Sequence, residues 1–273
     1  MSDRICVETN TEGGVCTITL VDVERRNALS HALVTQLNAT IDAAEADDSV
    51  RVIVLTNEGR VFCAGADLSD RSAENAEGSA AGASSIDNTE SVRLFRRFGQ
   101  SAKPFVGRIA GHCVAGGMGL AAAMDISVAI EDVKMGFTEV RIGVAPAMIS
   151  VLCLPKLRTA DAADAILRGR RFPASEAVAM GLINRAVPAD ELDDAVNEIV
   201  TDLLAGGPNA LAASKQLLAR VPGMDIDEAF AWTGRLSGEL FRSDEATDGM
   251  AAYIGKRPAP WVPGTGGAAD ATS

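Results

Sequence analysis

Two glycine-containing turns in the sequence have the residue types needed to bind a negatively charged oxygen through backbone N–H groups. One lies in Val61–Leu68 (V-F-C-A-G-A-D-L) and the other in Gly111–Leu120 (G-H-C-V-A-G-G-M-G-L), and each follows a predicted strand. Glycine permits positive φ and lets the backbone approach a ligand closely. Two converging N–H groups, one of them at the start of a helix, would form an oxyanion hole. The same turns also suit tight packing of strands against helices, so the pattern alone leaves both interpretations open.

Other catalytic motifs are absent from the sequence. There is no G-x-x-x-x-G-K-[ST] phosphate loop, no G-x-S-x-G nucleophile elbow and no H-E-x-x-H zinc pair. The run Gly111–Gly119 lacks the G-x-G-x-x-G spacing, which argues against a nicotinamide-dependent dehydrogenase. The only histidines are His31 and His112, and the acids are not clustered, so we expect no catalytic metal and two structural histidines.

The elements that must position the two turns alternate between strands and helices over the first two-thirds of the chain. Ser30 can cap a helix that runs to about Ala46. From Ala160 onward helical patterns dominate, with one further strand. This alternation predicts an α/β fold with buried, mostly parallel strands. Strands are predicted at Val15–Leu20, Arg51–Thr56, Pro104–Ala110, Ile126–Ile130 and Leu182–Val187.

The composition indicates an acidic globular protein. The chain has 273 residues, of which 47% are hydrophobic and 23% charged, so it can bury a sizeable core as one large domain or a domain with an appendage. Its formal net charge is −12. Because binding to phosphate backbones and anionic membranes relies on Lys and Arg, this charge argues against nucleic acid and membrane partners.

The cysteines and the chain ends indicate a cytoplasmic protein. The five cysteines form no C-x-x-C pair and are odd in number, which is typical of buried thiols in a reducing compartment. The N-terminus lacks the apolar run of a signal peptide, and Val114–Met124 is too short to span a bilayer. Ser69–Asn88 is predicted to be a mobile surface loop, either a lid or a simple linker.

Several segments together resemble the enoyl-CoA hydratase/isomerase (crotonase) family. The resemblance covers about Ile5 to Trp261, and the order and spacing of its pieces are specific. The matching pieces are R-R-N-A-L (Arg25–Leu29), F-C-A-G-A-D-L (Phe62–Leu68), Gly111–Asp125, F-T-E-V-R-I-G (Phe137–Gly143), M-G-L-I-N (Met180–Asn184) and K-R-P (Lys256–Pro258).

The resemblance implies an α/β crotonase (ClpP-like) spiral of ββα units with a C-terminal helical trimerisation region. We expect the spiral core with its CoA-ester site at 1–195, the helical oligomerisation region at 196–258 and a disordered tail at 259–273. Members of the family are usually homotrimers or dimers of trimers. The apolar positions of the last third are consistent with such contacts; they include Phe230, Trp232, Leu236 and Leu240.

The resemblance also assigns roles to residues of this sequence. Ala66 and Gly116 match the two oxyanion-hole positions, whose N–H groups bind the thioester oxygen of an acyl-CoA as it becomes an enolate. Coenzyme A is then part of the substrate, and no separate cofactor is expected. Substrate contacts are implied for Arg25, Arg26, Ala28, Ala64, Ala66, Asp67, Leu68, Gly116 and Lys256.

The catalytic carboxylates depart from the family pattern. Typical hydratases of the family use two glutamates; Glu139 matches one, and Gly119 stands at the position of the other. We therefore expect Glu139 to act as acid and base. A glutamate introduced at Gly119 is expected to leave the protein folded, provided that φ there is negative, and to increase hydration.

The implied activity is the reversible hydration of a 2-enoyl-CoA, a lyase reaction of fatty acid metabolism. Thr138–Ser150 (T-E-V-R-I-G-V-A-P-A-M-I-S) resembles methylglutaconyl-CoA hydratases, which suggests a branched substrate. Arg141 could bind the second carboxyl of such a substrate or form a structural ion pair. The alternatives are an enoyl-CoA isomerase or thioester hydrolase on the same fold, or a catalytically silent acyl-CoA-binding protein.

Overall fold

Two β-sheets form the frame of the protein, which a computed structural model describes over residues 4–68 and 88–264. Within this part the first sheet has six strands in the order β1–β2–β3–β5–β7–β10, and the second has four in the order β4–β6–β8–β9. The strands are β1 (Val7–Glu12), β2 (Val15–Leu20), β3 (Val52–Asn57), β4 (Val61–Cys63), β5 (Phe105–Ile109), β6 (His112–Val114), β7 (Ile126–Ile130), β8 (Lys134–Gly136), β9 (Phe172–Pro173) and β10 (Arg185–Val187).

Helices cover the sheets and form the last third of the described chain. The first helix begins after Ser30, whose Oγ accepts a hydrogen bond of 3.2 Å from the N–H of Leu33, so the predicted N-cap is confirmed. The helices are α1 (His31–Ala46), α2 (Asn88–Gln100), α3 (Gly116–Ala123), α4 (Ala147–Cys153), α5 (Thr159–Arg168), α6 (Ala174–Ala179), α7 (Leu192–Ala205), α8 (Pro208–Arg220), α9 (Ile226–Phe241) and α10 (Asp244–Ile254).

The larger sheet is mostly parallel, as the sequence predicts. β1 pairs with β2 in antiparallel fashion, whereas the pairs β2–β3, β3–β5, β5–β7 and β7–β10 are parallel. All six residues of β3 are buried. A strand covered on both faces carries a continuous apolar run rather than an alternating one, which explains the V-I-V-L pattern.

The smaller sheet places the candidate site. Strands β4, β6 and β8 are parallel neighbours, so their carboxyl ends lie at the same edge of this sheet. Ala66, Gly116 and Glu139 follow these strands by three, two and three residues. The topology therefore brings to one edge three residues that are distant in sequence.

Helix α7 packs on the larger sheet rather than with the C-terminal helices. Its residues Leu192 and Val196 lie in a buried cluster with Val52 and Val106 of the sheet. The predicted boundary between residues 195 and 196 falls inside α7, so the predicted division into domains does not coincide with an element boundary.

Polar contacts tie helix α8 and the segment around Trp261 to the rest of the described chain. The ammonium of Lys215 in α8 donates to the carbonyl of Phe98 (2.9 Å) and forms an ion pair with Asp125. The indole N–H of Trp261 donates to the carbonyl of Ala205 (2.9 Å), and the Arg51 guanidinium donates to the carbonyl of Trp261 (3.1 Å). These contacts involve residues of 259–264, while 265–273 and the predicted loop up to residue 87 lie outside the described residues, so the disordered tail at 259–273 stays a prediction.

The five cysteines are free and buried, as the sequence predicts: Cys6, Cys16, Cys63, Cys113 and Cys153. Over 4–68 and 88–264 no helix is both long enough and apolar enough to cross a bilayer.

Candidate active site

The two predicted glycine turns lie against each other at the edge of the smaller sheet. Gly65 has φ +88°, and a Cβ there would lie 3.0 Å from the backbone N of Gly116. Likewise, a Cβ on Gly116 would lie 3.7 Å from the backbone N of Ala66. Larger residues would push the turns apart, so glycine is required at this close approach.

The N–H groups of Ala66 and Gly116 are available to a ligand. Gly116 is the first residue of α3, where the helix provides no acceptor for the N–H, and Ala115 before it has φ 49°. Among the described residues, neither N–H donates to a protein acceptor. Two adjacent free N–H groups, one with the positive end of a helix dipole, are suited to bind an oxyanion.

A neighbouring segment, Arg25–Leu29, holds the first turn in place. The N–H of Leu29 donates to the carbonyl of Gly65 (2.7 Å), and the N–H of Ala64 donates to the carbonyl of Arg26 (3.1 Å). Leu29 and Ala66 also form a parallel β-bridge. The backbone that carries the Ala66 N–H is thus tied to a second chain segment by main-chain hydrogen bonds.

Asn27 anchors this segment and was not assigned a role from the sequence. It is fully buried with φ 51°, and its amide donates to the carbonyls of Val61 (2.8 Å) and Glu58 (3.3 Å). Asparagine tolerates the left-handed conformation better than most residues, which is the signal that could have pointed to this position.

The residues predicted to contact the substrate fall into one cluster and one outlier. Arg25 forms an ion pair of 3.1 Å with the buried Asp67, which joins the two predicted CoA-binding segments. Arg26, Ala66 and Leu68 are exposed beside them, Ala64 is half-buried and Ala28 is buried. Lys256 follows α10 with φ 50°, and its side chain makes no hydrogen bond or ion pair with this cluster in the described part of the chain.

Glu139 supplies a half-buried carboxyl at the same edge. It begins a 3₁₀ turn, Glu139–Ile142, that ends at Gly143 with φ 79°. Its Oε2 is buried and has no hydrogen-bond partner among the described residues. Burial raises the pKa of this carboxyl, and a hydrogen bond from its own N–H opposes the rise only partly. A carboxyl with a raised pKa and a free oxygen is suited to accept and return a proton.

The Cys153 thiol is unreactive. Cys153 is fully buried, and burial raises its pKa to about 12, while the nearby Glu139 charge acts in the same direction. Its Sγ contacts the carbonyl of Met118 at 3.7 Å. A thiol with this pKa is neutral near pH 7, so covalent catalysis by Cys153 is excluded on physical grounds.

The expectation that glutamate fits at Gly119 is wrong. Gly119 lies in α3 and has no positive φ, so the backbone would accept a side chain. The surrounding space is too small for a side chain. A Cβ at Gly119 would lie 2.9 Å from the Cβ of Ile149 and 3.0 Å from Cε1 of Phe95, and it would overlap Cγ2 of Ile149. Two apolar side chains occupy the place of the absent carboxylate.

The remaining polar candidates have structural surroundings. Nδ1 of His112 accepts from the N–H of Lys134 (3.0 Å), and burial, followed by nearby cations, lowers its pKa. Arg141 is exposed, donates to the carbonyl of Gly169 (3.4 Å) and makes no ion pair within the described residues. His31 begins α1. Over 4–68 and 88–264 no group of three His, Cys, Asp or Glu residues could hold a metal ion.

The N–H groups of Ala66 and Gly116 and the carboxyl of Glu139 thus follow three parallel strands at one edge of the smaller sheet and form the candidate active site. The family model described as enoyl-CoA hydratase/isomerase matches residues 10–263. The chain therefore belongs to the enoyl-CoA hydratase/isomerase family and has the crotonase fold, as the resemblance implied.

The similar proteins extend over nearly the whole chain. A Thermus thermophilus protein named "Putative enoyl-CoA hydratase" is 35% identical over 250 residues, which cover 90% of this chain and 97% of that one. A short-chain-enoyl-CoA hydratase of Clostridium acetobutylicum is 31% identical over 249 residues, covering 90% and 93% of the two chains. Among solved structures, Pseudomonas aeruginosa AtuE has a TM-score of 0.87 at 29% identity, covering 94% of this chain and 100% of that one.

Proposed function

We propose that the protein is an enoyl-CoA hydratase that adds water reversibly to the double bond of a 2-enoyl-CoA thioester. One observation carries the proposal: the buried Oε2 of Glu139 shares an edge of the smaller sheet with the N–H groups of Ala66 and Gly116, and none of the three has a hydrogen-bond partner within 4–68 and 88–264. The names of the two curated relatives favour the same reaction.

In the proposed hydration, Glu139 carries the one proton that moves from water to Cα. Its carboxylate accepts a proton from water as the water oxygen bonds to Cβ, and the π electrons move through Cα to the thioester oxygen. The N–H groups of Ala66 and Gly116 stabilise the resulting enolate. Glu139 then returns the proton to Cα, the thioester carbonyl reforms, and the carboxylate is restored.

The CoA part of the substrate would bind along the two tied segments. Arg25 and Arg26 are exposed cations on one of them, suited to phosphate groups, and Ala28 and Ala64–Leu68 line the approach to the oxyanion hole. Lys256, an exposed cation after α10, is a further candidate for a phosphate contact. A methylglutaconyl-like acyl group would find an exposed guanidinium at Arg141.

The proposed assembly is a homotrimer or a dimer of trimers in the cytoplasm. The C-terminal helices leave large apolar side chains exposed, including Phe230 (71%) and Tyr253 (86%). An apolar groove of about 580 Å³ lies between α8, α9 and α10. Such a surface is typical of subunit contacts. Light scattering at micromolar concentration should give three or six times the chain mass; a monomer would contradict this assembly.

A second reaction, isomerisation of a 3-enoyl-CoA to a 2-enoyl-CoA, is favoured by the apolar side chains of Ile149 and Phe95 beside Gly119. In that case the Glu139 carboxylate takes a proton from Cα and returns it at Cγ. The same oxyanion hole would hold the dienolate.

A turnover screen over a panel of 2-enoyl-CoA and 3-enoyl-CoA esters tests the proposal. We expect hydration of at least one ester, and Glu139→Gln should lower kcat by at least ~10²-fold with thioester affinity retained. Glu131→Gln, an exposed carboxylate after β7, is the matched control and should keep full activity. Micromolar ester binding without any turnover would instead indicate a silent binding protein.

A further inference from the structure

The wall beside Gly119 is built by α4 packing against α3. Ile149 and Cys153 are four residues apart on α4 and therefore share one face of that helix. Ile149 lies against Gly119 of α3, and the Cys153 thiol contacts the carbonyl of Met118 on the same helix. The one α4 face thus covers one turn of α3 immediately after the Gly116 N–H.

This wall is buried and apolar. Ile149 is 4% exposed and Phe95, which approaches Gly119 from α2, is 6% exposed. The segment between Glu139 and α4 is short, and it folds back on Glu139 because the N–H of Val144 donates to the Glu139 carbonyl (3.3 Å). Methyl groups and an aromatic edge cannot accept or donate a hydrogen bond to water, so these two side chains offer a water molecule no partner.

We propose that Ile149 determines the reaction specificity of the site. Hydration needs a water molecule oriented at Cβ, whereas isomerisation needs only a carboxylate that moves a proton between two carbons. By placing methyl groups beside Gly119, Ile149 gives the water no hydrogen bond at a position where a polar side chain would give one. The side chain at position 149 therefore sets the ratio of hydration to isomerisation. This inference rests on the proposed thioester chemistry at Glu139.

Two variants of equal shape separate the effect of polarity at position 149 from the effect of volume. Ile149→Val removes one methylene group, and Ile149→Thr has the same branched shape as valine with a hydroxyl in place of a methyl. The threonine hydroxyl can accept a hydrogen bond from water even while it donates to a carbonyl of its own helix. The pair therefore differs in water anchoring and not in volume.

The measured quantity is a ratio of two rates on one sample. For each protein, kcat/KM is determined for hydration of trans-2-hexenoyl-CoA and for isomerisation of trans-3-hexenoyl-CoA. The ratio does not depend on the folded fraction, because both reactions use the same active molecules. We expect the ratio to be about five- to tenfold higher in Ile149→Thr than in Ile149→Val, the effect of about one added hydrogen bond. Val151→Thr adds a hydroxyl to an exposed position of the same helix and should leave the wild-type ratio unchanged.

The possible failures are distinguishable. Equal ratios in the two Ile149 variants, or loss of both reactions in both of them beside an active wild type, would overturn the role of Ile149 alone. A wild-type protein without turnover on either ester would overturn the proposed function and this inference with it.

Discussion

The two halves of the candidate site are built in different ways. The anion-binding half uses main-chain N–H groups, and the turns that carry them are held by main-chain hydrogen bonds and by glycines in close contact. The proton-transfer half uses side chains: Glu139 on one side and the apolar pair Ile149 and Phe95 beside Gly119. Backbone donors persist through most substitutions, whereas a side chain is lost with a single exchange. On the proposed function, we therefore expect enolate binding to tolerate substitution better than proton transfer does.

Removing a backbone donor should give the largest effect. Ala66→Pro deletes one N–H of the oxyanion hole, and we expect kcat to fall by about 10²- to 10³-fold or more. Ala66→Ser, at the same exposed position, keeps the N–H and should stay within a few-fold of wild type. Binding of an enolate-mimicking CoA analogue is compared in variants shown to be folded by circular dichroism. Undiminished binding in Ala66→Pro would locate the oxyanion hole elsewhere.

Loosening the support of the same half should give a smaller effect. Asn27→Gly keeps the positive φ but removes the hydrogen bonds to the carbonyls of Val61 and Glu58. We expect the free energy of unfolding to fall by about 1–3 kcal/mol, and kcat to fall several-fold with KM little changed, because the Ala66 N–H is held less firmly. Urea unfolding and steady-state kinetics measure both. Asn10→Gly, on the exposed strand β1, is the control; an equal loss of kcat there would remove the special role of Asn27.

The proton-transfer half should make both activity and stability depend on pH through Glu139. Hydration requires the ionised form of Glu139, and burial raises its pKa, so kcat/KM should rise with pH through a value above the ~4.3 of an exposed glutamate. The free energy of unfolding changes with pH in the opposite direction. The folded state favours the protonated carboxyl of Glu139, and this stabilisation is lost as pH rises through the raised pKa. Glu139→Gln should therefore melt at a higher temperature than wild type above that pH. A kcat/KM that is flat with pH down to 4.3, or a lower melting temperature for the variant, would contradict this assignment.

The sequence predicted the elements that satisfy local rules. The apolar runs of β3 and β7 and the Ser30 cap are visible without a structure because they depend on periodicity and on one capping side chain. Strands β4, β6 and β8 have three residues each, too few for a pattern, and exist because a neighbouring strand pairs with them. Their order nevertheless decides where the site forms.

The candidate site divides in the same way. Glycine at positions 65 and 116 is visible in the sequence and is the residue type that the close approach of the two turns requires, although the approach itself depends on the pairing of β4 with β6. The lack of space for a side chain at position 119 could not be predicted from the sequence. The helix predicts φ there, but the presence of Ile149 depends on which helix packs against it. Tertiary packing of this kind carries no local signal in the sequence.

The central claim is that Glu139 alone, on one side of the bound substrate, takes the proton from water and delivers it to Cα. The most direct measurement is hydration of an accepted 2-enoyl-CoA in D₂O, with the position and configuration of deuterium in the 3-hydroxyacyl product read by NMR. The account predicts one deuterium at Cα on the same face as the new hydroxyl, because a single carboxyl serves both atoms. Addition to opposite faces, or a mixture of the two configurations at Cα, would contradict it.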